Sequence, residues 1–144
     1  MTVEKQDKQW IRFLQDRYKK LCDCVPIAFR DFVPSEIPTV AGVYLITVIT
    51  AGKSTKEIPY YIGRTKNLRQ RIYNNHLMGQ FTNARLKKYL VNYKECRDIA
   101  EAKEFIKNNC MVRWIEEPDI RNRNAIEGYA TGLLSPKYGM YEEH

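Results

Sequence analysis

The sequence predicts a small α/β domain: one sheet with helices packed on it. Three observations carry that expectation. Two runs rich in β-branched and aromatic residues, Gly42 to Thr50 and Pro59 to Gly63, stand either side of a turn signal. Several segments then repeat apolar residues at helical spacing. A further short apolar run, Met111 to Ile115, falls between the last two of them.

The elements follow in order. From about Lys5 to Leu21, the residues Ile11, Leu14, Tyr18 and Leu21 recur at near-helical spacing, which predicts an amphipathic helix. Pro26, Pro34 and Pro38 punctuate a connecting stretch. Residues 1–37 therefore read as an N-terminal helical extension packed on the core, and residues 38–144 as the main domain. Gly42–Thr50 is the first strand, and Ala51-Gly52-Lys53-Ser54 the turn. Pro59-Tyr60-Tyr61-Ile62-Gly63 returns as an antiparallel partner, with Pro59 at an edge or a strand start because it has no amide to donate. Asn67 can cap a short helix opened by Leu68 and Ile72, and Gly79 can stop it. Helices are expected over about Thr82 to Leu90 and Ile99 to Asn108, then the third strand. A final helix runs from about Ile120 to Leu134, with an apolar stripe of Ile126, Tyr129, Ala130, Leu133 and Leu134. Ser135-Pro136 ends it. The expected sheet has three mostly antiparallel strands flanked by helices.

The chain's 144 residues suit one domain with a real core. No apolar run approaches membrane-span length, and Met1 to Lys8 is polar and charged, so neither a span nor a secretory signal is expected and a cytoplasmic protein is the default. Cys22, Cys24, Cys96 and Cys110 form no C-x-x-C pair and complete no zinc spacing with His76 or His144; reduced thiols are expected. The net charge of +7 says less than its distribution. From Arg64 to Lys94 there are eight basic residues and no Asp or Glu. A one-sign block suits a polyanion, because neutralising phosphates releases condensed counterions, though a solvated helix face is the plainer alternative. Within the block, Lys66, Arg69, Arg85, Lys87 and Lys88 are the expected nucleic-acid contacts.

Strand alternation puts Tyr44, Ile46 and Val48 on one face and Tyr61 with Pro59 on one face of the returning strand. A register setting Tyr44 beside Tyr61 would bring two phenols together. Taken alone, strand tyrosines are more often core filler. Arg71 borders the apolar stripe of its helix and could reach over the sheet toward a phosphate, or it could be a surface arginine with a buried stem. Glu127 borders the stripe of the last helix. It could hold a hard divalent cation, or close a capping box with Asn124 if the helix starts late. Gly128 and Gly132, four apart in a helix, each cost about 1 kcal/mol against Ala, which a close backbone approach, to the sheet or to a ligand, would explain.

Together these residues have an order. Gly42-Val43-Tyr44, Tyr61-Ile62-Gly63, Arg71 and Glu127 resemble the GIY-YIG nuclease superfamily. The string Tyr61-Ile62-Gly63-Arg64-Thr65-Lys66-Asn67-Leu68-Arg69-Gln70-Arg71-Ile72 looks very like the family's second motif, and Glu127 through Pro136-Lys137-Tyr138 like its closing helix and tail. The resemblance covers about Pro38 to Tyr138. It implies the GIY-YIG fold and a metal-dependent endonuclease that hydrolyses phosphodiester bonds of DNA. In that family one divalent ion, Mg2+ or Mn2+, sits on the glutamate, here Glu127. Two tyrosines, here Tyr44 and Tyr61, position or deprotonate the attacking water. The arginine, here Arg71, stabilises the phosphorane-like charge. A tyrosine base needs a nearby cation, and Arg64, where many relatives carry lysine, is the expected source.

Three departures bear on activity. Many relatives have a histidine or tyrosine four residues after the arginine; here Asn75 is there and His76 comes next. On a regular α-helix Asn75 is about 40° from Arg71 and His76 about 140° away. Either the helix ends near Asn75 and His76 swings in as a catalytic residue, or His76 is not part of the site. Gly139 replaces the family's closing asparagine. No DNA-reading module is appended, so target choice falls to the domain itself, the N-terminal helix or a partner. The alternatives to a DNA endonuclease are a binding module of the same fold without catalysis, and a nuclease for RNA or branched DNA. Recognition sequence and oligomeric state are open, and a symmetric dimer would suit a palindromic target.

Overall fold

A computed structural model describes residues 2–4, 8–50, 54–79 and 84–139. In chain order the elements are α1 (Lys8–Asp23), β1 (Ile27–Ala28), β2 (Gly42–Thr50), β3 (Lys56–Thr65), a π-helix (Gln70–Leu77), α2 (Arg85–Asn92), α3 (Ile99–Asn109), β4 (Cys110–Glu116) and α4 (Ile120–Leu134). The expected helix start at Lys5, the turn at Ala51 to Lys53 and the helix start at Thr82 lie outside the described residues.

The sheet has four strands in the order β1-β4-β2-β3, every pair antiparallel. This corrects the expected three. The fourth strand is β1, two residues within the Pro-punctuated connection, where Ile27 and Ala28 pair with Val112 and Met111. Two residues carry no period that a sequence pattern could reveal.

Alternation along β2 divides the interior in two. Tyr44, Ile46 and Val48 join one cluster with Leu68, Ile72, Leu86, Leu90 and Ile106, so the π-helix, α2 and α3 cover that face. Val43 and Leu45 join a second with Leu21, Ile126 and Ala130, so α1 and α4 cover the other. The apolar stripes of the helices meet this demand, with two exceptions. Ile11 of α1 and Leu133 of α4, expected inside, are 45% and 56% exposed. No helix among the described residues is long and apolar enough to cross a membrane.

The caps set the helix limits. Asp119 accepts from the Asn122 amide at the start of α4, and Asp98 from the Glu101 amide at the start of α3. Asn67 accepts from the Gln70 amide, as expected of a cap. Because α4 begins at Ile120, Glu127 lies two turns inside it and the capping-box reading is excluded.

Candidate active site

The β2–β3 hairpin fixes the two tyrosines. Its register sets Tyr44 opposite Gly63 and Ile46 opposite Tyr61, so the phenols are diagonal neighbours on one face. Their rings lie 6.1 Å apart and nearly parallel. The register slips between Ile46 and Thr47, whose partners are Tyr61 and Pro59. Tyr60 is the extra residue, a β-bulge. The bulge breaks the expected pairing of Pro59 and Tyr61 on one face, and it turns Tyr60 and Tyr61 into the same cluster. Gly63 has a steric role. A Cβ there would lie 2.8 Å from Cε1 of Tyr44 and nearer still to its Cζ and hydroxyl. The space above Gly63 is the space that the Tyr44 ring fills.

The segment after Asn67 resolves the placement of His76 by a third route. The chain neither stays α-helical nor ends; it widens into a π-helix over Gln70–Leu77. In an i→i+5 ladder the fifth residue on returns much nearer the same side than it does in an α-helix, and such turns are frequent at functional sites. His76 is five after Arg71. It is fully buried, and its Nε2 lies 2.7 Å from the Tyr44 hydroxyl. Arg71 Nε donates to the same hydroxyl at 3.3 Å. Tyr61 packs edge-on against the imidazole, with centroids 5.0 Å apart. Tyr44 is thus a buried phenol held between a guanidinium and an imidazole.

The electrostatics follow from burial. Burial raises the Tyr44 pKa above its ordinary value, and the Tyr61 phenol adds to the rise, while Arg71 works against it. His76 is pushed well below 6.5, first by burial and then by the charges of Arg71, Arg85 and Lys87, so its imidazole is neutral. Its Nδ1 is buried with no partner among the described residues. Burial disfavours the Arg71 charge, but the Tyr44 and Tyr61 hydroxyls outweigh it and raise its pKa.

Glu127 comes from α4, across the end of β3. Its Oε2 accepts from Arg64 Nη1 at 3.1 Å. The expected partnership of Arg64 with a tyrosine is therefore replaced: Arg71 serves Tyr44, and Arg64 serves Glu127. Tyr44, Tyr61, Arg64, Arg71, Glu127 and Arg85 all line one open cleft of about 260 Å3, with the backbone of Ile62 and Gly63. Gly128 and Gly132 make no close approach; a Cβ on either would meet nothing within 4 Å. The expected approach to the sheet is corrected, and nothing in the structure explains these glycines.

The basic block separates on folding. Arg85 is exposed at the cleft, and exposed Lys66 lines an adjoining hollow with Arg64 and Arg123. Lys88 is exposed on α2. Arg69 turns away, donating to the carbonyls of Ile37 and Ser35 at 2.8 and 3.5 Å. Lys87 is corrected outright: at 1% exposure it cannot touch a phosphate.

Sequence reasoning missed the support behind Tyr61. Tyr89 of α2 packs on it, 6.3 Å between centroids, and stacks on Tyr138 of the closing tail at 5.6 Å. Glu95 gathers that tail, accepting from Tyr60 at 3.0 Å and from Lys137 and Tyr138. Burial works against the Glu95 charge, but these three donors prevail and hold its pKa below the usual carboxylate value. Gly139 sits at φ +89° against the Tyr61 ring. The one available signal was the run of tyrosines itself, which has no period.

The donor set at Glu127 is one carboxylate. Among the described residues no group of three His, Cys, Asp or Glu side chains surrounds a common point. Such a site suits a hard cation that keeps most of its water and shares substrate oxygens, which is how Mg2+ is usually held. Compared with protein-family models, curated proteins and solved structures, the chain matches none.

Proposed function

We propose that this chain is a metal-dependent endonuclease that hydrolyses phosphodiester bonds of DNA, working in the manner of the GIY-YIG nucleases its motifs resemble. One observation carries the reading. Four residues spread from position 44 to position 127 line a single cleft, and a fifth, His76, backs it through a π-helix.

The chemistry is argued from this chain's own groups. A water hydrogen-bonded to the Tyr44 hydroxyl can pass its proton to the phenol oxygen as the phenol proton moves to His76 Nε2, 2.7 Å away. Burial and the charges of Arg71, Arg85 and Lys87 oppose a charged imidazole, so a proton that reaches Nε2 returns readily to the phenol. Arg71, in reach of the same hydroxyl, faces the non-bridging oxygens where charge gathers. Tyr61 holds the imidazole edge and the Tyr44 ring in place. Glu127 would hold a Mg2+ or Mn2+ ion, which when bound supplies charge opposite the developing phosphorane. Arg64 must first yield Glu127, and with the guanidinium half-exposed to water their pair is weak enough to do so. Arg85 and Lys66 lie where flanking phosphates would pass.

The test is nicking of plasmid DNA with Mg2+ or Mn2+, comparing wild type with Glu127→Ala, alongside branched DNA and RNA. Loss of cutting in the variant by about a hundredfold or more is expected. Cutting that survives removes the metal role from Glu127. A binding module without catalysis is the second reading, favoured by the Arg64 guanidinium closing Glu127. It predicts salt-sensitive binding with no metal-dependent turnover in the wild type.

A further inference from the structure

Lys87 is the one basic residue of the Arg64–Lys94 block among the described residues that folding buries completely, at 1% exposure. A buried ammonium is costly unless its hydrogens are satisfied. This one donates to two backbone carbonyls, those of Leu77 and, at 2.8 Å, Gly79. Leu77 is the last residue of the π-helix, immediately after His76, and Gly79 lies two residues beyond it, past the cap residue Met78.

That end is where the ladder changes step. The Met78 amide reaches back five residues to the Tyr73 carbonyl at 2.9 Å, and the Gly79 amide four residues to Asn75 at 3.1 Å. The last carbonyls of a helix have no partner within it and carry the negative end of its dipole. A cation there completes the helix in both respects. The π form itself needs such a support, because a helix left to itself closes with i→i+4 bonds. In that form His76 would stand about 140° round the axis from Arg71, away from Tyr44.

We propose that Lys87 is a positioning residue for the cleft: from α2 it pins the end of the π-helix, and so keeps His76 at the Tyr44 hydroxyl. The charged groups facing it act consistently with this role. Burial first, and then Lys103 of α3, bring its pKa down to about 8. Its charge joins those of Arg71 and Arg85 in keeping His76 neutral. Its two acceptors need only two N–H donors, so the clamp holds whether the amine carries two protons or three. The kinetic consequence rests on the hydrolytic reading of the cleft; the geometric one does not.

The experiment pairs Lys87→Met with Lys87→Gln, whose amide keeps two donors if the Met variant fails to fold. The full chain is labelled with 15N-histidine; its two histidines, His76 and His144, give a spectrum that is simple to assign. In wild type, burial and the neighbouring cations hold the His76 titration well below the ordinary imidazole value. In the Met variant, where the ring leaves its buried place, it is expected to titrate near 6.5. Lys87→Gln, which also lacks the charge but keeps two donors, separates this from the loss of the Lys87 charge alone. In steady-state DNA cleavage with Mn2+, kcat is expected to fall by about a hundredfold with KM unchanged, a loss that misplacing one group can cause. Lys87→Gln should recover part of both. A His76 ring that titrates as in wild type in a folded variant overturns the proposal, as does an unchanged kcat with only Tm lowered. Wild-type protein that cuts nothing removes the nuclease reading and leaves the ring titration to decide the role of Lys87.

Discussion

Replacing Gly63 with alanine adds one methyl group, and the structure says where it goes. The new Cβ would sit against Cε1, Cζ and the hydroxyl of Tyr44, each nearer than 3.0 Å. Regaining ordinary contact at 3.4 Å moves the phenol end by about 1 Å. Tyr44 is wholly buried, and its hydroxyl is held by His76 at 2.7 Å and Arg71 at 3.3 Å. A 1 Å shift takes one of those bonds out of range. Overpacking of this kind costs about 1–3 kcal/mol of stability. The misplaced hydroxyl should cost about a hundredfold in the cleavage rate. Thermal melts and single-turnover cleavage of plasmid DNA with Mn2+ measure the two effects separately. Tyr44→Phe is the control: the ring stays, the stability loss is about 1–3 kcal/mol from the unpaired His76 nitrogen, and the rate falls. A Gly63→Ala protein cutting within about twofold of wild type at an unchanged Tm would refute the reasoning, because Tyr44 would then have room that the structure denies it.

Other expectations follow from the same geometry. Gly128→Ala and Gly132→Ala should each raise stability by about 1 kcal/mol in chemical denaturation, since both sites are helical and open; a loss would mean that something docks there. Lys66→Ala or Arg85→Ala should weaken metal-free DNA binding and lower the slope of log K against log salt by about one, read by fluorescence anisotropy. Stability should vary with pH in two opposed ways. The folded Lys87 gives up its proton near pH 8 and the unfolded one near 10.5, so stability rises across that window. Tyr44, Tyr60 and Tyr138 are raised above 10.0, chiefly by burial, so the unfolded chain ionises first and stability falls as pH climbs past 10. Melts from pH 7 to 11 should lose the early rise in Lys87→Met.

Much of this was legible from residue order. The hairpin, the faces of β2 and the helix limits follow from β-branched runs, alternation and capping residues, because those are local preferences. The diagonal placement of Tyr44 and Tyr61 was not legible, since it depends on one extra residue, Tyr60, whose type does not announce a bulge. The π-helix was hidden for another reason. Gln70–Leu77 has no local feature that favours i→i+5 bonds, and what stabilises them is Lys87, which reaches in from α2. Charge patterning treated Lys87 as one more surface cation. Arg64 and Arg71 were both legible as cations near the site, but which served Tyr44 and which Glu127 is a matter of where β3 ends relative to α4.

The two margins of the sheet have a consequence for association. β3 is an outer strand, and Lys137 and Tyr138 donate their amides to the carbonyls of Pro59 and Tyr60, so the closing tail occupies part of that margin. On the other side β1 covers Val112 and Met111, and beyond it the end of α1 takes over: Cys24 donates to the Trp114 carbonyl and accepts from Arg113. Unsatisfied strand edges are how sheets recruit further strands from other chains. Here those positions already have intramolecular partners, so a second copy or an extended peptide gains little by adding a strand at them. If two copies pair across a palindromic target, the joint should form through side chains of helices, and the two clefts would then be spaced by that contact and not by a continuous intermolecular sheet.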